Sequence, residues 1–183
     1  MDSRDDDEGV SERPQVRPDP ALGLLDIYDR ALPQVHGYLL SRCRDRALAQ
    51  DLTAETFLAA VAAARKKPTP AISTGWLVGV ARHKLADHWR RAEREQRGLQ
   101  LVQTAGYEID DPWDAEIDTV VAHQVLDALG PHHRAALTLR YLDGLPVAQV
   151  AEHLGRTVHA TEALLVRART AFRTVYEDPE GAR

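Results

Sequence analysis

An all-α protein of two small helical domains joined by an acidic linker is predicted by three features of this sequence. Apolar residues recur at three- and four-residue steps through most of the chain, the periodicity of amphipathic helices. Of its 183 residues, 44% are hydrophobic but only 5% aromatic; Ala and Leu dominate and β-branched runs are scarce, which favours helices packed through small and medium side chains. Charge, finally, alternates in blocks. Residues 1–20 carry 3 basic and 7 acidic side chains, and residues 21–97 carry 13 and 8. Residues 98–119 carry 6 acidic and no basic ones, residues 120–174 carry 6 basic and 4 acidic, and residues 175–183 carry 1 and 3. Two basic modules are therefore flanked and separated by acidic, weakly hydrophobic segments, an arrangement hidden by the overall charge of −5.

The organisation that follows is an acidic tail over 1–20, a first module over 21–97, a linker over 98–115, a second module over 116–176 and a tail over 177–183. Asp5-Asp6-Asp7-Glu8 and the prolines of the first segment bury too little to offset ordering, so this tail reads as disordered and not as a signal peptide. A helix begins with Leu22, Leu25, Tyr28, Leu32, Val35 and Leu39, and Pro33 within it predicts a kink or a second start. The next runs from Ala47 to Ala64 with an apolar stripe of Leu48, Leu52, Phe57, Leu58 and Val61; Asp51 and Glu55 lie one turn apart on another face. Arg65-Lys66-Lys67-Pro68-Thr69-Pro70 is a loop, and Ser73 or Thr74 can cap the helix after it. That helix carries Trp76, Leu77, Val80, Leu85 and Trp89, decorated by Arg82, Lys84, Arg90, Arg91, Arg94 and Arg97.

Periodicity lapses across the linker and resumes at Ile117, Val120, Val121, Val125 and Leu129. Gly130-Pro131 breaks the helix, another spans His132 to Leu142, and Asp143-Gly144 turns the chain. A short helix runs from Pro146, at its first position, to His153, and a long one from Val158 to Tyr176. The stretch Leu145–Arg173 has the anatomy of a helix-turn-helix. Val147, Val150 and Ala151 face inward, Gly155 supplies a turn conformation that a Cβ would oppose, and Thr161 or Leu165 and Ala168 face inward on the second helix. Arg167, Arg169 and Arg173 can neutralise phosphates.

The motifs in both modules resemble the extracytoplasmic-function sigma factors of the sigma-70 family. Asp51-Leu52-Thr53-Ala54-Glu55-Thr56-Phe57, Trp76-Leu77, Ala81-Arg82-His83 and Asp87 with Arg90-Arg91 are similar to the family's region 2. Arg134, Leu139-Arg140-Tyr141, Val150-Ala151 and Arg167-Ala168-Arg169 are similar to its region 4. Two motif sets in the right order are more specific than either alone, and together they cover residues 22–176. The resemblance implies a non-enzymatic, cytoplasmic subunit that binds core RNA polymerase through the β′ clamp helices and β flap and directs initiation at −35 and −10 promoter elements. It implies polymerase docking by Asp51, Leu52, Glu55 and Phe57. It implies −10 binding and melting by Lys66, Lys67, Arg82, His83, Lys84, Asp87, Arg90 and Arg91. For the −35 element it implies Arg156, Thr157, His159, Glu162, Ala163, Val166, Arg167 and Arg169. Many relatives are held inactive by an anti-sigma protein, so such a partner is a candidate here.

This sequence departs from the family pattern at Ala54 (Gln is usual), His83 (Asn), Glu162 (Lys or Arg) and Leu164 (Arg). A carboxylate in the major groove accepts from cytosine N4 and cannot donate to guanine, so Glu162 predicts a −35 sequence with a cytosine opposite it. Fewer positive charges predict weak −35 binding. Two rival readings are an ordinary helix-turn-helix regulator, which leaves the 48–91 motifs as coincidence, and a sigma-like adaptor that docks on polymerase without reading promoters. No nucleophile–base pair, phosphate loop or cofactor motif is present. Cys43 is the only cysteine, adjacent His132 and His133 point apart, and no metal or cofactor is expected. Trp76 and Trp89 read as core, not as stacking platforms, and no run is long and apolar enough to insert in a membrane.

Overall fold

The computed structural model describes residues 24–97 and 119–178, and every regular element among them is helical. Helices α1 (Leu25–Cys43), α2 (Arg46–Ala64) and α3 (Thr74–Arg97) pack on one another. Helices α4 (Thr119–Ala128), α5 (Pro131–Leu137), α6 (Val147–Leu154) and α7 (Val158–Glu177) form a second cluster, in which a π-helical turn, Thr138–Leu142, continues α5. The two clusters meet where α3 lies against α5 and α6. The expected tail 1–20, the whole acidic linker 98–115 and residues 179–183 of the expected tail 177–183 lie outside the described residues; Glu177, expected in that tail, instead closes α7.

Helix α1 runs through Pro33 without a break, so no second helix starts there. Proline removes one donor to the carbonyl four residues back, and both Pro33 and Asp29 are exposed, so water can satisfy that carbonyl. The buried face is only partly the expected one, sharing Val35 and Leu39 with it. Ala31, Val35, Leu39 and Cys43 form it at four-residue spacing, whereas Leu25 is 64% exposed. The helix stops at Arg44, whose left-handed φ of 54° lets its N–H donate to the Leu40 carbonyl (2.9 Å).

Asp45 caps α2 by accepting from the Leu48 N–H (3.0 Å). Its buried face is Ala49, Leu52, Thr53, Thr56, Phe57, Ala60 and Ala64, so small residues carry more of the contact than the leucines that advertised it. Leu58, expected in the stripe, is 69% exposed, because one residue beyond Phe57 turns it about 100° off the core face. Thr53 and Thr56 avoid an unsatisfied hydroxyl by donating back to the Ala49 and Leu52 carbonyls (2.6 and 2.7 Å).

Ser73 accepts from the Trp76 N–H (3.2 Å) and starts α3, whose Leu77, Ala81, Leu85, Ala86 and Trp89 are buried. Each such Leu or Trp contributes roughly 1.5–3 kcal/mol of apolar burial, so α3 anchors the first cluster. In the second, Gly130 precedes Pro131 at the first position of α5, the place where proline's missing N–H is harmless. Pro146 is the N-cap of α6 rather than its first helical residue. Val120, expected to face inward, is 64% exposed, while Val125 and Leu129 are buried; Ile117 lies outside the described residues.

Candidate nucleic-acid interface

On α2, Asp51 is exposed and Glu55 half-buried, one turn apart. Glu55 is paired with Lys84 of α3 (3.1 Å). Leu52 and Phe57 are buried at 3% and 8% exposure. Leu52 is therefore a core residue that fixes the helix and cannot itself touch a partner. Phe57 meets Tyr28 edge-on, ring centroids 4.9 Å apart. Beside them Leu32, Pro33, His36, Gln50, Thr53 and Ala54 complete a largely apolar groove of about 480 Å³. Ala54, the departure from the family pattern, forms part of its wall, where a glutamine would bring a polar amide.

Lys66 and Lys67 are exposed in the loop before α3. Along α3 the polar ends of the expected DNA-facing set are largely engaged. Asp87 pairs with Arg90 within the helix. Arg91 and Arg94 fold back on the Asp87 and Arg90 carbonyls (3.4 and 3.2 Å). These arginines, with Arg156 and Gly155 from the other cluster, line an open cleft of about 670 Å³. Trp89 is buried at 4% exposure, so it is core and not a stacking platform.

The helix-turn-helix of α6 and α7 is formed as its sequence implies. Gly155 caps α6 with a φ of +61°, and the Arg156 N–H closes back on the Ala151 carbonyl (2.9 Å). Thr157 caps α7, accepting from the Ala160 N–H (3.1 Å). Thr161, Leu165 and Ala168 are all buried. His159, Glu162 and Ala163 are exposed and Val166 half-buried, at spacings that place them on one face of α7. Arg169 donates to the Tyr141 hydroxyl (3.2 Å), and Arg156 is paired with Glu93 of α3. Leu164 corrects the expectation of a lost phosphate contact. It is 1% exposed, so this position points into the core and no cation is missing from the reading face there.

The residue that sequence reasoning passed over is Asp143. Read as a turn former, it does turn the chain together with Gly144 (φ +67°), and it also ends the π-helical turn, its N–H donating to the Thr138 carbonyl (3.0 Å). Its side chain is 1% exposed. One carboxylate oxygen accepts from Arg42 Nε (3.0 Å), and the other from Arg82 Nε (3.1 Å) and the Tyr38 hydroxyl (2.7 Å). The Arg42 and Arg82 guanidinium carbons lie 5.0 and 5.9 Å from the Tyr38 ring centroid, adding cation–π attraction. Burial, then the Asp143 charge and hydrogen bond, push the Tyr38 hydroxyl pKa well up, so it stays a donor. Nearby, the His83 and His153 rings are 4.3 Å apart; burial, with His83 and Arg82 adding to it, lowers the His153 pKa. Only a local signal was available for Asp143, an Asp-Gly pair at a turn, and its partners are about 61 to 105 residues away in sequence.

Among the described residues no cluster of three or more His, Cys, Asp or Glu side chains is placed to hold a metal ion, and no helix is long and apolar enough to cross a membrane.

Comparison with known proteins matches residues 27–95 to the family model for sigma-70 region 2 and residues 120–172 to that for sigma-70 region 4. The chain is 33% identical to the ECF RNA polymerase sigma factor BldN of Streptomyces coelicolor over 91% of its own length and 65% of that protein's. It is 30% identical to the ECF RNA polymerase sigma factor SigC of Mycobacterium tuberculosis, over 81% of this chain and 80% of that one. The fold is similar to that of the sigma factor RpoE of Bartonella quintana, solved with the anti-sigma factor NepR: TM-score 0.51 at 19% identity, covering 85% of this chain and 98% of that one.

Proposed function

Because the chain belongs to the sigma-70 family, and within it to the extracytoplasmic-function sigma factors, we propose that it binds core RNA polymerase inside the cell, in the cytoplasm, and directs initiation at promoters with its own −35 and −10 sequences. The observation that carries this reading is the pairing, on one chain, of a basic helix beside a lysine loop with a helix-turn-helix. The first suits a single strand with an extruded base; the second suits a major groove. Domain limits near 21–97 and 116–176 follow from the same division.

The roles divide accordingly. Asp51 and Glu55, beside the Tyr28–Phe57 groove, offer a basic partner on the β′ clamp helices two carboxylates and an apolar seat. Lys66, Lys67, Arg82, His83, Lys84, Arg90 and Arg91 follow the −10 strand. Flipping a base costs a few kcal/mol, which pocket contacts and phosphate neutralisation offset. His159, Glu162, Ala163 and Val166 face the −35 groove, with Thr157, Arg156, Arg167 and Arg169 placed for the flanking phosphates. The chemistry of RNA synthesis belongs to the polymerase. The acidic linker suits a channel built for nucleic acid. An anti-sigma partner fits this reading as a regulator.

The test is transcription of sheared genomic DNA by purified core polymerase with and without this protein, mapping new RNA 5′ ends. New starts that share upstream −35 and −10 elements are expected. Polymerase binding without new starts would favour the adaptor; specific duplex binding by the free protein alone would favour an ordinary regulator.

A further inference from the structure

The two clusters touch through the very residues assigned to promoter reading. Arg82 is bonded to Asp143 and the His83 ring lies against His153, while Arg156 of the −35 set is paired with Glu93 on the −10 helix. Arg44 of the first cluster is also paired with Asp127 of the second (2.9 Å). Elements named −35 and −10 lie about 25 base pairs apart, roughly 85 Å along B-form DNA at about 3.4 Å per pair. Reading surfaces within hydrogen-bond distance of each other cannot span that interval. The closed arrangement and the promoter-bound one exclude each other.

Of the contacts that hold the closed form, Asp143 is the most demanding. Its carboxylate is dry, and every donor that compensates it comes from the other cluster: Tyr38 and Arg42 from α1, Arg82 from α3. A buried carboxylate with such partners is stable only while they stay in place. Arg42 Nη2 also donates to the Leu142 carbonyl (3.1 Å), so the backbone of the turn is gripped with the side chain. Arg82 is shared between the two states, bound to Asp143 in one and available to DNA in the other.

We propose that Asp143, clasped by Tyr38, Arg42 and Arg82, is the latch of a closed resting state that covers Arg82 and His83 and must open before the promoter is read. This rests on the sigma-factor reading above. It predicts that the free protein is held shut by its own two modules, and that polymerase releases the latch by separating them.

The test is intramolecular energy transfer in the full chain, with dyes on cysteines introduced at exposed Asp29 and Thr174 in a Cys43→Ser background. The free protein is expected to show high transfer that collapses when core polymerase is added. Asp143→Asn removes the charge and should lower the closed-to-open ratio about ten-fold; Tyr38→Phe removes one donor and should lower it roughly two- to five-fold. Both variants should associate with polymerase faster. Unchanged transfer in both free variants, or high transfer persisting in the polymerase complex, would overturn the latch. If circular dichroism shows that Asp143→Asn loses helix, Tyr38→Phe, which keeps the ring, decides alone. A protein that never binds polymerase while its variants still open refutes the sigma reading and leaves the latch in place.

Discussion

Replacing Leu164 with the family-typical arginine should unfold the second module rather than improve its grip on DNA. Leu164 is 1% exposed and lies among the buried side chains of α7. Its removal from the core forfeits about 1.5–3 kcal/mol of apolar burial. A guanidinium in its place, with no buried carboxylate provided for it, adds several kcal/mol more. The total approaches or exceeds the low end of the ~5–15 kcal/mol that holds a domain together. Leu164→Ala is the milder arm: a cavity here costs about 2–5 kcal/mol, and at roughly 4–8 °C per kcal/mol for a small domain the melting temperature falls by at least 8 °C or so. Thermal and urea unfolding followed by far-ultraviolet circular dichroism, with DNA binding measured on the same samples, reads both. A Leu164→Arg protein that melts within about 3 °C of the wild type and binds −35 DNA more tightly would refute the argument.

Three further expectations follow from the same geometry. Glu162→Arg should change the selected −35 sequence, replacing a cytosine preference with guanine at one position; selection from a randomised −35 library with polymerase present checks it, and an unchanged preference removes Glu162 from the reading face. Gly155→Ala forces a Cβ into a left-handed conformation, and that Cβ would lie 3.0 Å from Arg90 Nη1; the flexible arginine can yield, so the backbone dominates and the loss is about 1–2 kcal/mol in urea unfolding. Burial, helped by His132 and Arg167, pushes the His133 pKa down from 6.5 to about 4. The unfolded chain then takes up a proton that the folded one refuses, so this part of the stability is complete above pH 6.5 and is lost as pH falls towards 4. His133→Gln should flatten the unfolding profile across that window, and identical slopes in both proteins would contradict it.

What was legible in the sequence was whatever local chemistry decides. Ser73 as a cap, the Gly130-Pro131 break, the left-handed Gly155 and the inward Thr161, Leu165 and Ala168 each depend on a few neighbouring residues. Pro33 left a restart open because the hydrogen-bonding part of proline's cost depends on whether the deprived carbonyl is wet, which only packing decides. Leu25 and Leu58 misled because apolar character is not burial: both are exposed, while Ala31, Ala49, Thr53, Thr56 and Ala60 are buried. Of the candidate site, the faces were readable from spacing, but their engagement was not. Arg82, His83 and Arg156 look like free cations and rings on a one-dimensional string. Their partners Asp143, His153 and Glu93 are more than 60 residues distant, and nothing in the local pattern couples them.

The π-helical turn at Thr138–Leu142 has a consequence for how such a molecule can be retuned. A π turn holds one residue more than the α-helical turn it replaces, and π turns gather at functional positions. Each residue advances an α-helix by about 100°. Deleting a single residue within Thr138–Leu142 would let α5 continue at its ordinary pitch and swing the chain leaving it through about that angle. Asp143 would be rephased away from Tyr38, Arg42 and Arg82, with every one of those four side chains intact. Chain length over five residues thus acts as a dial on how the two halves of the protein address each other, separable from the chemistry of the groups that meet there.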